Sequence, residues 1–142
     1  MKMKMKVDPR IQQKFKVRNF EYDSKVEGSE EFTESVILYK ELPHIEVTRV
    51  LHSHLDKGML TPEAGEEISD KLLHKLITGW EGFEVDDEEG KTIPLIFADD
   101  LISFLPMNIR LDFIDQVISP MTSSFFKLPD VEDTEGDEIK NS

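Results

Sequence analysis

Thr61-Pro62-Glu63-Ala64 combines three helix-start signals. Threonine can cap free backbone N–H groups, proline at the first helical position loses nothing by lacking its own, and the acid suits the first turn. Behind it Ala64, Ile68, Leu72, Leu73, Leu76 and Ile77 recur at three- and four-residue steps as one apolar stripe, while Glu66, Glu67, Asp70, Lys71 and Lys75 fall elsewhere. The spacing predicts a helix over about 62–78, closed by Gly79. Other elements must cover that stripe.

Upstream, Phe15, Val17, Phe20 and Tyr22 alternate with polar residues apart from one slip at Asn19, which predicts a half-buried strand over about 14–22 with a bulge. Ser35-Val36-Ile37-Leu38-Tyr39 predicts a second strand over about 35–40, and the loop around Gly28 would join the two as one hairpin. After Pro43 the period becomes helical through Val47, Val50, Leu51 and Leu55, giving a helix over about 44–57 with Gly58 behind it. Residues 80–94 flank an acidic, Gly-closed turn and suit a short ribbon or structured loop. Two further helices follow, over about 98–105, capped at or near Asp99, and about 107–119, capped by Asn108. The second sets Leu111, Phe113, Ile114, Val117 and Ile118 along a broad face and stops near Pro120. The fold class expected is mainly α within α+β: about four helices beside a small N-terminal hairpin. Residues 1–10 read as a flexible basic arm, 11–126 as a single globular domain and 127–142 as an acidic, disordered tail.

Composition narrows the function classes. The 142 residues contain no cysteine, which excludes disulfides, thiolate metal sites and thiol nucleophiles, and no apolar run approaches the length of a membrane span. No apolar stretch follows the basic Met-Lys start, so export is not expected and a cytoplasmic protein is. Net charge is −13, unevenly placed: residues 1–20 hold seven Lys/Arg against one Asp, while 128–142 hold six acids against one Lys. So acidic a surface repels phosphate backbones and anionic lipid, so neither nucleic acid nor membrane is an expected partner. Basic or apolar partners fit better.

No constellation of residues points to catalysis or to a cofactor. His52 and His54, two apart on a helix, point about 200° apart and cannot share an ion, and His44 and His74 read likewise as helix residues. In Asp86-Asp87-Glu88-Glu89-Gly90, placing Gly90 at the sixth position of a calcium loop puts Val85 at the first, so the turn reads as solvated. Asp112 and Asp115 are the carboxylates nearest an apolar stretch and are expected to face water. There is no P-loop, GxGxxG or GxSxG, and an enzyme is not expected.

What remains is surface for a partner. Trp80 suits a core anchor first and an interface anchor second. Phe125, Phe126 and Leu128, beyond the last helix stop, suit either a strap over the core or a short linear motif with an acidic flank. Leu73, Ile77 and Phe113, at the edges of apolar stripes, complete the expected contacts.

The order of a helix ending Leu76-Ile77-Thr78-Gly79-Trp80-Glu81-Gly82, an acidic turn with Gly90, Ile93-Pro94 with Phe97, and a short Asp99-Asp100-Leu101 helix followed by another resembles the phage tail assembly chaperones over about residues 62–118. The strand-rich first 40 residues lie outside that likeness. The resemblance implies a small non-enzymatic protein that coats the tape measure protein, keeps it soluble during tail morphogenesis, and in some members recruits the tail tube protein through a C-terminal extension. Binding is then expected through the helical faces of 62–80 and 107–126. Two other readings fit the composition: an acidic DNA mimic that inhibits a host nucleic-acid-binding protein, and a structural tail completion protein. Apolar stripes left uncovered on two helices also favour a homo-oligomer until a client arrives.

Overall fold

A computed structural model of the chain describes residues 1–54 and 61–126, with side chains as far as Ser123. Three antiparallel strands, β1 (Gln13–Arg18), β2 (Phe32–Tyr39) and β3 (Ile77–Glu81), form a sheet in the order β1-β2-β3. Helix α1 (His44–Ser53) follows β2, and α2 (Pro62–Leu76) runs directly into β3. A ribbon of β4 (Glu84–Asp86) and β5 (Thr92–Pro94) comes next, then a 3-10 helix (Asp99–Phe104). The last helix is continuous in sequence: α3 (Met107–Phe113), a π-helical segment (Ile114–Ile118) and α4 (Ser119–Phe126). The chain is thus a mixed α+β fold, with more strands than the single hairpin expected.

Helix α2 begins as its sequence dictates, with the Thr61 hydroxyl accepting the Ala64 N–H at 3.1 Å and Pro62 in the first turn. Its end is a correction. Ile77 continues the apolar stripe in sequence, yet the helix stops at Leu76 and Ile77-Thr78-Gly79-Trp80-Glu81 pairs with β2, Leu38 facing Gly79 and Ile37 facing Trp80. The Lys40 N–H closes the junction on the Leu76 carbonyl at 3.1 Å. Gly79 is therefore a strand residue and no helix cap. The non-local partner β2 overrides the local helical period.

The hairpin strands also shift. β1 ends at Arg18, with its register break between Lys16 and Arg18, and β2 starts at Phe32. Asn19 turns the chain out of the sheet: its N–H reaches the Glu31 carbonyl and its side chain accepts from Glu21 and donates to the Glu30 carbonyl. Phe20 and Tyr22, expected on the strand, are exposed loop residues.

Two further expectations change at the last helices. Residues 99–104 form a 3-10 helix with no side-chain cap, and Met107 rather than Asn108 opens α3, the Asn108 carboxamide accepting the Ile109 N–H inside the first turn. Pro120 does not stop the helix. Proline has no N–H and its ring crowds the carbonyl one turn back, and here the backbone widens ahead of it, the Ser119 N–H donating to Ile114 five residues earlier. A single π turn accommodates the ring and α4 continues to Phe126. Leu55, Gly58, Leu128 and the acidic segment 127–142 lie outside the described residues, as do the side chains of Phe125 and Phe126.

The core lies between the sheet and the helices. Val17, Ile37, Ile77 and Trp80 from the sheet meet Val47, Val50 and Leu51 of α1, Ile68, Leu72, Leu73 and Leu76 of α2, and Ile102, Leu105, Phe113 and Ile118. Trp80 is the anchor its type suggests: its indole N–H donates to the Leu95 carbonyl at 2.9 Å and its ring packs with Phe83 and Phe97. Gly82, at φ +79°, has to be glycine, because a Cβ there would stand 2.9 Å from the Glu34 carbonyl oxygen.

Tyr39 packs edge-on against Phe113, with ring centroids 5.5 Å apart, and its hydroxyl pKa is raised from 10.0 by burial and, less, by the Glu41 carboxylate. The folded chain therefore holds that proton more tightly than the unfolded one. The associated stability is complete below pH 10.0 and is lost as pH rises through the raised value. Urea unfolding between pH 9 and 12 is expected to show a falling midpoint, and Tyr39→Phe should flatten that fall.

Candidate functional site: an acidic and apolar groove between α2 and α3

An open groove of about 1150 Å³ runs between the first turns of α2 and the outer side of α3. Glu63, Glu66, Glu67 and Asp70 recur at helical spacing along one wall, and Leu105, Met107, Leu111 and Ile114 make the other. Met107 and Leu111 are 65% and 55% exposed, which is a large share for apolar side chains inside a concave surface. Phe104, between the groove residues Ser103 and Leu105, is exposed as well.

Polar contacts set the spacing of the two walls. The Arg110 guanidinium of α3 reaches across to Asp70 of α2 at 2.9 Å, His74 contacts the Asp70 carbonyl at 2.9 Å, and Ser103 meets the other ring nitrogen of His74 at 3.3 Å. At one end His54 Nδ1 lies 3.1 Å from Glu67. Glu63 and Glu66 make no ion pair among the described residues, and with Lys71 the one further cation lining α2's side of the groove, this stretch of wall carries a net negative charge.

Gly65 lies among these acids, inside α2, where glycine costs helix stability. A Cβ at Gly65 would meet nothing within 4 Å among the described residues, so their packing does not demand glycine there. With Ser69 one turn on, it leaves the helix nearly bare where it lines the groove.

The residues expected to contact a partner are mostly elsewhere. Leu73 and Phe113 have 0% exposure, and Ile77 and Trp80 are buried too, so all four belong to the core. Asp112, expected to face water, is largely buried and lies 3.8 Å from the Arg18 guanidinium of β1, while Asp115 is exposed. His44 and His52 are exposed. The acidic turn is ordered by Asp87, whose carboxylate accepts the Glu89 and Lys91 N–H groups. Among the described residues no cluster of three or more His, Asp or Glu is arranged to hold a metal ion, and no helix is long and apolar enough to cross a membrane. The groove itself had a sequence signal: an interior glycine in an otherwise regular helical pattern, flanked by acids on one face.

Set against known protein families, curated proteins and solved structures, the chain matches none. Acids facing apolar side chains across an open groove suit a segment with one basic and one apolar edge, either as a helix or extended.

The two glycines give opposite expectations. Gly65→Ala should stabilise the chain by about 0.5–1 kcal/mol, whereas Gly82→Ala should destabilise it by roughly 1–3 kcal/mol. Urea denaturation of both variants checks this, and a destabilising Gly65→Ala would mean that the chain's own packing needs the glycine.

Proposed function

We propose that this chain is a non-enzymatic assembly chaperone that holds an amphipathic segment of a client in the groove between α2 and α3, the client being the tape measure protein of a phage tail. The observation that carries the binding mode is the pairing of exposed Met107 and Leu111 with the acids around Gly65. Methionine and leucine adapt to varied apolar partners, and an acidic wall selects segments that also carry Lys or Arg. The client's identity rests on the resemblance of residues 62–118 to the tail assembly chaperones. A net charge of −13 would keep a coated client in solution, and the acidic segment 127–142 would act as the extension that recruits tail tube protein. The reading needs no cofactor and places the work in the host cytoplasm.

Groove binding puts a row of acids against an apolar wall, whereas a DNA mimic presents its carboxylates as two rows in place of phosphates. Salt separates these readings, since apolar burial survives ionic screening and a purely ionic complex does not. Co-expression of the full chain with a tape measure fragment should bring the fragment into the soluble fraction and retain it through a high-salt wash. Leu111→Asp should weaken that complex roughly ten- to a hundredfold, the loss expected for one buried leucine. A fragment that stays insoluble, or a complex indifferent to Leu111→Asp, would contradict the proposal. Capture of a basic nucleic-acid-binding protein that washes off in salt would favour the inhibitor, and recovery of the chain in finished particles would favour a structural tail component.

A further inference from the structure

Residues 1–6 alternate Met and Lys, and Met1, Met3 and Met5 all stand exposed. We propose that this arm of one copy lies extended in the α2/α3 groove of a second copy, and reciprocally, so that the free protein is an arm-exchanged dimer. The inference rests on the groove being a binding seat, as proposed above, but not on which client enters it.

Charge and repeat length both match. An extended chain advances about 6.6 Å every two residues, and four residues of helix advance about 6 Å. Two consecutive lysines of the arm therefore keep step with the single turn that carries Glu63, Glu66 and Glu67, and the third falls about one turn further along α2. Alternation turns the methionines to the opposite side, toward Met107 and Leu111, which are themselves four residues apart. Gly65 leaves room for the arm's backbone against α2.

The arm's root favours a second copy over the same one. Asp8 binds both the Arg10 backbone and its guanidinium, the Ile11 N–H closes a turn on the Asp8 carbonyl at 3.0 Å, and Gln12 donates to the Thr78 hydroxyl beyond the C-terminal end of α2. Residues 1–7 reach about 23 Å from this turn at full extension. The helix between Leu76 and the acids spans roughly 14–20 Å, so within one copy the arm would have to run fully extended along the whole of it to bring Lys4 and Lys2 beside Glu67 and Glu63, and Lys6 would stop short of them. From a second copy all three lysines and all three methionines can enter. The reciprocal arrangement has twofold symmetry and closes at two chains.

Sedimentation velocity on the full chain tests this through a charge exchange. The wild-type chain should sediment as a dimer at low salt and dissociate as salt rises. Lys2→Glu/Lys4→Glu/Lys6→Glu in one variant, and Glu63→Lys/Glu66→Lys in another, should each be monomeric with unchanged circular dichroism. Mixing the two variants should restore a dimer, because each then offers the arm that fits the other's groove. A monomeric wild-type chain, a dimer that neither variant weakens, or monomeric variants that fail to combine would each overturn the proposal. A monomeric wild-type chain that still solubilises the tape measure fragment would leave the proposed function standing, and a charge-exchange dimer that ignores the fragment would overturn that function alone.

Discussion

Phe113 sets the rotation of the last helix, and the groove follows from that rotation. Its ring has no exposed surface and meets Phe15 of β1 and Tyr39 of β2 edge-on, with centroids 5.0 and 5.5 Å away. These edge-to-face contacts add to the burial of a large apolar side chain and fix direction as well as distance. At 100° per residue, Arg110, Ile114, Met107 and Leu111 fall about 60°, 100°, 120° and 160° from Phe113 on one side. All four line the groove. Turning Phe113 inward thus turns Met107 and Leu111 out and aims Arg110 at Asp70.

The groove departs from what stability alone would select. Two exposed apolar side chains, two glutamates without an ion pair among the described residues and an interior glycine all lie within a few turns of the same two helices. Alanine at Gly65 would suit the helix better, and polar residues at 107 and 111 would suit solvent better. A local rule broken without gain inside the fold is the pattern expected of a binding surface. The opposite side of the sheet shows no such conflict: β1 carries Lys14, Lys16 and Arg18 along its free edge, which discourages pairing with another strand.

How far the fold could be read depended on the range of the interactions. Thr61, Pro62 and the stripe from Ala64 to Leu76 are local signals, and helix, cap and buried face follow from them. Ile77-Thr78-Gly79 misleads because its strand partner is some 40 residues away in β2, and no pattern within a turn or two contains that pairing. Pro120 misleads because a π turn removes the clash that normally ends a helix. The burial of the expected contact residues has a third reason. Leu73, Ile77 and Phe113 lie on apolar stripes, and periodicity identifies what is apolar without showing what covers it. Leu111 shares the apparent face of Phe113 in sequence yet points away from it. Only the packing of Phe113 on Phe15 and Tyr39 distinguishes them.

The most direct measurement is site-specific photo-crosslinking in cells that co-express the tape measure fragment, with the reactive group placed at Leu111 in one variant and at Tyr22, exposed on the loop between β1 and β2, in another. If the groove between α2 and α3 is the seat, Leu111 forms the client adduct and Tyr22 does not. Client adducts from Tyr22 and none from Leu111 would place binding on the hairpin loop and contradict the groove as the site.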